Sequence, residues 1–509
     1  MNNTARWLAA AAVLASFFWM LGTPPLFDVD EGAFSEATLE MFQRGDFLST
    51  YLNGEPRYDK PILVYWLQAA AVALLGPSEW AFRLPSALCA AAWAWLTYLF
   101  VRRHYDERRA LLAAVLLATS LGVYIIGRAA TADALLNCVI AASMFSAWLH
   151  LSTGKRGWLY ATHAAIALGV LAKGPVAILV PLATTFLFCV MRRSLRAWLK
   201  ATFDWRALLL LLAIAAPWYI VILVKEGHGF VEGFFLKHNV GRFTGPVSGH
   251  AGSLVYYFPW LLALSLPFTA LLVPVAQRIG AIWRDELQCY LLLWFGFVFV
   301  FFSLSGTKLP HYVLYGYTGL AILMAVHGCE WKHAAWAIAP VLLFFLGVLA
   351  LPYGVARLVL HTEGYAREVL LAALGSFPSW YFVVPAILAA LAAYAMLERG
   401  TPLPNKLTVF GFAAVAVLST LVVPVAGFAQ QSSLKEAAAL CRSRALEPVM
   451  WRLNAPSFSV YRGAPTASRE PRPGDVVLTR ADRLRELPSG LAFDLLYSKR
   501  GIVLARIRA

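Results

Sequence analysis

Long apolar segments alternate with short charged loops along most of the chain. A helix that crosses a bilayer needs about 17–25 predominantly apolar residues, and about thirteen segments approach or reach that length. A further stretch, residues 62–78, is short and begins after a proline, so we interpret it as a re-entrant or interfacial helix. The pattern predicts spans near 7–27, 84–101, 110–127, 134–152, 157–172, 174–191, 207–224, 253–277, 287–307, 309–326, 333–356, 377–397 and 407–429.

The charges of the loops predict how these helices are oriented. If 62–78 does not span, the loops 102–109, 154–156, 192–206 and 277–286 all lie on one side, and they are short and rich in arginine and lysine. Such loops are typical of the cytoplasmic face. We therefore expect a cytoplasmic N-terminus, and we expect the C-terminus and the acidic first loop on the opposite side, in the periplasm or its equivalent.

The last 80 residues have a different composition. From about residue 430 the chain carries 14 lysines and arginines against 7 acids, and it has no spanning segment. We predict a transmembrane domain at 1–429, followed by a small α/β periplasmic domain at 430–509, so the fold class is an all-α polytopic membrane protein with a C-terminal α/β domain. The pattern predicts a helix at Leu434–Arg444 and strands at Val449–Leu453, Phe458–Tyr461, Val476–Thr479, Phe493–Tyr497 and Ile502–Ile507.

Composition supports a membrane protein and limits the other classes. Of 509 residues, 60% are hydrophobic and only 14% are charged, which is far from the balance of a soluble domain. The net charge of +15 does not indicate nucleic-acid binding, because much of it lies in the short loops. Six cysteines without a CxxC pair indicate neither a disulfide framework nor a thiolate metal site.

The first loop, residues 28–83, concentrates candidate chemistry. It opens with three acids in four positions, Asp28, Asp30 and Glu31, and its middle contains Tyr58-Asp59-Lys60-Pro61. A charged loop held between apolar segments lies where lipid meets water, which suits chemistry on a lipid-borne substrate. A solvated loop with a capped interfacial helix explains the loop alone equally well.

Further polar residues lie at the ends of apolar segments, where they are costly and often functional. On the predicted topology all of them fall on the same side as the first loop, and this shared side indicates a cleft at the outer leaflet. Taken singly, each has a structural alternative: a helix cap, an interhelical turn, a lipid-headgroup fringe or a satisfied core histidine. The residues are Asp133, Lys173, His238, Arg242, Lys308 and His311.

These residues, in this order, resemble the family of lipid-linked-sugar glycosyltransferases that includes the aminoarabinose transferases of lipid A and, more distantly, the protein O-mannosyltransferases. The resemblance covers about the first 330 residues well and the remainder by layout only. Asp59 is a departure, because aminoarabinose transferases usually carry glutamate before the lysine. The match rests on Asp30-Glu31 with Phe34, Glu36, Met41 and Gly45-Asp46, on Tyr58 to Ile62, on Arg128 with Thr131 to Asp133, on Lys173-Gly174-Pro175 and on Lys308-Leu309-Pro310 with Tyr312.

The resemblance implies that the donor is a sugar on undecaprenyl phosphate, transferred with inversion at the periplasmic face. Aminoarabinose transfer to lipid A phosphate is the leading expectation, and transfer of another sugar, such as mannose, to protein or glycan is the alternative. A lipid or sugar transporter is a third class, but such proteins show mid-membrane charges and inverted repeats, and neither is evident here.

The resemblance also implies roles for the candidate residues. Cations would stabilise the leaving phosphate, and Asp30, supported by Glu31 with Asp133 nearby, would orient or deprotonate the acceptor. Asp59 and His311 would share a divalent ion, for which mixed carboxylate and imidazole ligation suits zinc. The predicted phosphate-binding residues are Lys60, Lys173, Arg242 and Lys308, together with Tyr58 and His238.

Overall fold

The computed structural model describes residues 3–241, 245, 252–487 and 492–508. A helical body is followed by a small four-stranded sheet at the C-terminal end. The α-helices, numbered in chain order, are α1 (Asn3–Phe18), α2 (Asp30–Arg44), α3 (Leu63–Leu75), α4 (Glu79–His104), α5 (Glu107–Thr119), α6 (Leu121–Arg128), α7 (Asp133–Thr153), α8 (Arg156–Lys173), α9 (Val176–Met191), α10 (Leu195–Thr202), α11 (Trp205–Phe230), α12 (Tyr257–Leu264), α13 (Leu272–Gln277), α14 (Ile279–Arg284), α15 (Glu286–Leu304), α16 (Leu314–Gly328), α17 (Ala334–Leu360), α18 (Gly364–Ser376), α19 (Val383–Leu397), α20 (Leu403–Val417), α21 (Val423–Ser443) and α22 (Pro456–Arg462).

Helices of spanning length make this chain a multi-pass membrane protein. Within the described ranges, six helical segments are long and apolar enough to cross a bilayer, or up to eight if each of two bent pairs counts as one span. Each of the thirteen predicted segments overlaps an observed helix, but the predicted count of thirteen spans is not confirmed. The six are α4, α7, Trp205–Lys237, α15, α17 and Leu403–Ser443.

Two predicted spans are broken in the middle. Helices α5 and α6 meet at 65° because Ser120 between them adopts an extended conformation. Helix α12 meets the following segment, Thr269–Gln277, at 116°. Pro267 lies in that bend, and a proline disfavours helical geometry at the residue before it. An apolar run therefore predicts a helix more securely than it predicts a straight one.

Close helix contacts fix the centre of the bundle. Helix α16 is buried along its whole length and packs on α15 through small residues, as is usual between membrane helices. A Cβ at Gly319 would lie 2.5 Å from the Leu291 carbonyl oxygen. The Trp294 indole donates to the Tyr315 carbonyl at 2.8 Å, so the start of α16 is held against α15.

The first loop contains two helices and a hairpin. Its strands, β1 (Tyr51–Leu52) and β2 (Glu55–Pro56), are joined by Asn53-Gly54, both at positive φ, which is typical of a tight hairpin turn. Helix α3 has 13 residues and is about 20 Å long at 1.5 Å per residue. It is too short to span, in agreement with the non-spanning interpretation of 62–78.

The C-terminal sheet has the order β3-β4-β6-β5, with β3 parallel to β4 and the other pairs antiparallel. The strand predicted at Phe458–Tyr461 is wrong, because those residues lie in α22. Pro456 opens that helix and Gly463, at φ +80°, closes it, an arrangement that favours helix over strand. The other predicted strands overlap β3 (Pro448–Met450), β4 (Val476–Arg480), β5 (Phe493–Lys499) and β6 (Ile502–Ile507).

Candidate active site

A buried ion pair lies at the ends of three bundle segments. Asp133 begins α7 and Lys173 ends α8, and their Oδ1 and Nζ atoms are 2.5 Å apart. The Tyr315 hydroxyl lies 2.8 Å from the same Nζ and 3.2 Å from the same Oδ1. Lys173 therefore has two partners, while Asp133 also accepts from the Thr131 hydroxyl at 3.3 Å, so hydrogen bonds hold the pair in place.

His311 adds an imidazole to this pair. It lies in the 3₁₀ turn Pro310–Val313, and its Nε2 is 3.5 Å from Asp133 Oδ1. Lys173 Nζ also lies 5.7 and 5.4 Å from the ring centres of Tyr312 and Tyr315, which is within range of cation–π attraction. Residues from α7, α8 and the turn before α16 thus meet at one point.

The first loop reaches the same point. The charge of Lys60 acts on both Asp133 and His311, and the charge of Asp30 acts on His311. Asp30 is the first residue of α2 and is exposed to solvent. The structure therefore brings together five of the predicted residues, which we call the polar cluster: Asp30, Lys60, Asp133, Lys173 and His311.

Asp59 lies between two cations. Its carboxylate is 2.7 Å from Lys60 Nζ and 3.3 Å from Arg57 Nη2. Among the described residues, no three of His, Cys, Asp or Glu are grouped so that they would hold a metal ion. Because cations occupy the surroundings of Asp59, and Lys173 lies beside the carboxylate that faces His311, the predicted Asp59–His311 pair does not fit a divalent ion.

Glu31 occupies a different environment from its neighbour Asp30. Its two oxygens accept from Arg83 at 2.8 and 2.6 Å and from the backbone amides of Ala130 and Phe27. Burial alone would raise the pKa of Glu31, but the charge and hydrogen bonds of Arg83 outweigh it and hold the pKa below its usual range. Glu31 therefore anchors the first loop to the bundle. We call the ion pair of Glu31 and Arg83 the buried junction.

Two other predicted phosphate-binding residues make structural contacts. The Tyr58 hydroxyl donates to Glu226 at 2.8 Å, and burial, followed by that hydrogen bond, raises the pKa of Tyr58 to about 12. Lys308 Nζ donates to the carbonyls of Ser303 and Ser305 at the end of α15. Arg242 lies outside the described residues, as does the side chain of His238, whose backbone belongs to the π-helix Val231–Val240.

Sequence reasoning missed three residues that shape the site. Arg83 and Arg57 were not singled out, although Arg83 interrupts an apolar segment, and an ionisable residue in such a segment is a usable signal. Tyr315 gave no signal, because a tyrosine at the start of an apolar helix is common at membrane interfaces. Their contribution depends on which residues face them across the bundle.

The polar cluster has the composition of a site for anionic transfer chemistry. The ammonium group of Lys173 lies beside the buried carboxylate of Asp133, which also contacts the His311 imidazole, while the charges of Lys60 and Asp30 reach this group from the first loop. Fixed cations in a partly dry site stabilise developing negative charge more strongly than water does. A carboxylate at the rim is placed to orient or deprotonate an incoming group.

Comparison with known proteins bears on this chemistry. Residues 59–221 match the family described as dolichyl-phosphate-mannose-protein mannosyltransferase. The chain is 31% identical over 422 residues to the undecaprenyl phosphate-α-4-amino-4-deoxy-L-arabinose arabinosyl transferase of Erwinia tasmaniensis, over 78% of this chain and 73% of that one.

Two solved structures share the fold. The crystal structure of ArnT from Cupriavidus metallidurans bound to undecaprenyl phosphate has a TM-score of 0.85 at 20% identity, covering 99% of this chain and 98% of that one. The oligosaccharyltransferase of Archaeoglobus fulgidus, in its apo form, has a TM-score of 0.53 at 13% identity, covering 92% and 65%.

Proposed function

We propose that this chain moves aminoarabinose from undecaprenyl phosphate to lipid A. It belongs to the family of undecaprenyl phosphate-α-4-amino-4-deoxy-L-arabinose arabinosyl transferases. The enzyme is an integral-membrane glycosyltransferase. The observation that supports this activity best is the polar cluster, which gathers an open carboxylate and two lysines from three distant parts of the chain at the end of an apolar bundle.

The transfer exchanges one bond to the anomeric carbon for another. An oxygen of the acceptor phosphate bonds to that carbon from one face, while the bond to the undecaprenyl phosphate oxygen breaks on the opposite face. The electron pair leaves with undecaprenyl phosphate, so the configuration inverts and the charge of the leaving group must be stabilised. We assign that role to Lys60 and Lys173, because Lys173 pairs with Asp133 and the charge of Lys60 also acts on Asp133, so both cations belong to the polar cluster.

Asp133 and Tyr315 serve this step by holding Lys173. Both contact its Nζ, which restricts a side chain that otherwise has many rotamers. A lysine held in this way loses little entropy when the phosphate binds and presents its remaining donor capacity to the cleft. His311, on the other side of Asp133, limits the space in which the phosphate can sit.

The role of Asp30 depends on the acceptor. A lipid A phosphate is already anionic and needs no strong base, so Asp30 has the task of orienting the donor sugar through its amine. With a hydroxyl acceptor, the same carboxylate would remove the proton as the new bond forms. We assign no step to a metal ion, because the environments of Asp59 and His311 do not fit one.

The membrane orientation belongs to the same proposal. The sugar donor and lipid A meet at the periplasmic face only if the first loop is periplasmic, which places the N-terminus in the cytoplasm and the C-terminal sheet in the periplasm. The basic loops 102–109 and 192–206 then face the cytoplasm, as the positive-inside rule requires.

A second candidate function rests on the family match at residues 59–221. By its description, that family transfers mannose from dolichyl phosphate mannose to protein. The match includes Lys60, Asp133 and Lys173 but excludes Asp30 and the whole of α2. The residues assigned to the donor phosphate are thus shared between the two functions, while the acceptor is where the two would differ.

The test is a reconstitution with defined donors and acceptors. Purified protein in proteoliposomes is given undecaprenyl-phosphate aminoarabinose with lipid A, and the lipid A is analysed by mass spectrometry for one added aminopentose. Parallel reactions replace the donor by undecaprenyl-phosphate mannose and the acceptor by a serine- and threonine-rich peptide. Modification of lipid A supports the proposal, whereas mannosylation of the peptide alone would favour the second candidate.

A further inference from the structure

The C-terminal sheet domain is joined to the first loop two residues before Asp30. The Asp28 carboxylate accepts from the Ser457 backbone amide at 2.9 Å and from the Ser457 hydroxyl. The side-chain amide of Gln431, oriented to satisfy its hydrogen bonds, pairs with the amide and the carboxylate of Asp28 at 3.0 and 3.2 Å. Asp28 is therefore held from two elements, α22 and α21.

The approach of α22 to α2 depends on a glycine. A Cβ at Gly32 would lie 2.2 Å from Asp28 Oδ1 and 2.5 Å from the Ser457 amide nitrogen. Both distances are too short for non-bonded atoms, so only glycine at this position allows the two helices to approach this closely. Gly32 lies in the first turn of α2, and Asp30 lies in the same turn.

A second contact joins the C-terminal domain to the first loop at Asn53. The Asn53 side-chain oxygen accepts from the Ser459 hydroxyl at 2.6 Å and from the Thr466 amide at 3.1 Å. The Asn53 amide itself donates to Glu36, in the middle of α2, at 3.1 Å. Helix α2 is thus bound to the C-terminal domain both before and after Asp30.

We infer that the C-terminal domain belongs to the catalytic unit, with Ser457 and Asp28 as positioning residues that hold Asp30 near the other residues of the polar cluster. This inference rests on the proposed transfer. Neither residue has a contact with the cluster in the described structure, so both act through the first turn of α2. A carboxylate displaced by about 1 Å loses much of its catalytic contribution, which gives this link a kinetic consequence.

The experiment compares Ser457→Ala and Gly32→Ala with two matched controls in the full-length protein. Ser443→Ala removes an exposed hydroxyl that binds only the backbone of its own helix, and Gly157→Ala adds a methyl group where nothing lies within 4 Å. We expect Ser457→Ala and Gly32→Ala to lower kcat about tenfold to a hundredfold, with the donor KM unchanged and the controls at wild-type kcat. A purely structural role would instead lower the folded fraction at constant kcat per folded molecule.

Hydrogen exchange supplies a readout that needs no substrate. The amides of residues 30–44 should exchange faster in Ser457→Ala than in Ser443→Ala, because the Asp28 carboxylate loses one of the donors that join the start of α2 to α22. Unchanged exchange of these amides, or an unchanged kcat, overturns the inference. If the wild-type protein transferred no sugar at all, the proposed function would fail, and exchange would still decide whether Ser457 orders this segment.

Gly32→Ala is the stronger change and risks misfolding, so Ser457→Ala decides the outcome on its own. Asp28→Asn then tests the link from the loop side. Combined with Ser457→Ala in a double-mutant cycle, it should lower kcat no further than either single change if the two residues act through one contact. Full additivity of the two effects would contradict that link.

Discussion

Asp30 and Glu31 are consecutive acids at the start of one helix, yet they belong to two regions with opposite physical character. Asp30 is exposed and belongs to the polar cluster, while Glu31 is buried and saturated by Arg83 and two backbone amides. A carboxylate whose oxygens all have protein donors has no capacity left for a substrate. What separates a functional acid from a structural one here is the occupancy of its oxygens.

The same contrast applies to the cations of the two regions. Arg83 donates to three backbone carbonyls as well as to Glu31, so all of its donor capacity is used inside the protein. Lys173 has two hydrogen-bond partners, which use two of its three N–H donors. The buried junction serves stability, whereas the polar cluster keeps donors for a substrate. Four substitutions test this difference.

Asp30→Asn should have the largest effect. We expect kcat to fall by about a hundredfold or more, because the donor sugar loses the carboxylate that orients it. The melting temperature should be unchanged, since an exposed substitution alters stability by about 0.5 kcal/mol or less. Sugar transfer and thermal unfolding measure the two, with the exposed Glu55→Gln of the same loop as control; wild-type turnover would refute the assignment.

Glu31→Gln should act on stability instead. It leaves the Arg83 guanidinium buried without a counter-charge, which costs about 3–5 kcal/mol. The replacement of both residues, Glu31→Gln with Arg83→Met, should recover part of this loss, and chemical unfolding in detergent measures both. A variant as stable as the wild type would mean that the junction does not anchor the loop.

The sign of the pH dependence follows from the same carboxyl group. The pKa of Glu31 is lowered in the folded protein from an ordinary value of 4.5, so its contribution is fully present above that value. It is lost as the pH falls from 4.5 through the folded-state pKa. Glu31→Gln should therefore flatten the acid limb of the unfolding curve, and an identical acid limb in both proteins would contradict this.

Lys60→Ala should weaken donor binding by about tenfold to a hundredfold, the equivalent of one charge-assisted hydrogen bond of about 1.5–3 kcal/mol. The Kd for undecaprenyl phosphate measures it directly, without turnover. Lys155→Ala, an exposed lysine in a loop at the opposite end of α8 from Lys173, is the matched control. Equal affinities for the two variants would remove Lys60 from the polar cluster's phosphate-binding role.

Tyr58→Phe should have the smallest effect. It tests whether the Tyr58 hydroxyl contributes to stability or to donor binding. Loss of its hydrogen bond to Glu226 costs about 1 kcal/mol of stability, while Ser49 still donates to that glutamate at 2.7 Å. Donor affinity should not change, because the hydroxyl faces Glu226. If the affinity fell as it does in Lys60→Ala, the sequence-based assignment of Tyr58 to the donor phosphate would be correct after all.

Much of this architecture could be predicted from the sequence, because the signals are local. Apolar length located a helix in every predicted segment, and the residue pattern anticipated β4, β5 and β6. The bends at Ser120 and Pro267 and the helix at Pro456–Arg462 escaped prediction. In each case a single residue with a backbone preference outweighed a hydrophobic pattern that extends over many residues.

For the site, the sequence predicted which residues gather but not which of them remain available. Asp133, Lys173 and His311 could be grouped because they share one predicted membrane face. The anchoring of Glu31 and the docking of Tyr58 onto Glu226 depend on partners 52 and 168 residues away, and no local pattern encodes such pairs. The Asp28–Ser457 link, across 429 residues, was equally invisible.

Helix α20, the π-helical turn Leu418–Val422 and helix α21 form one helical segment of 41 residues, Leu403–Ser443, and its α-helical parts rise about 1.5 Å per residue. This segment begins among the membrane helices and ends at the C-terminal sheet domain. A single residue inserted in α21 would rotate the C-terminal domain by about 100° relative to the bundle. Insertions in this segment should therefore be far more damaging than insertions of equal size in the surface turns, and evolutionary change in its length should come in whole turns.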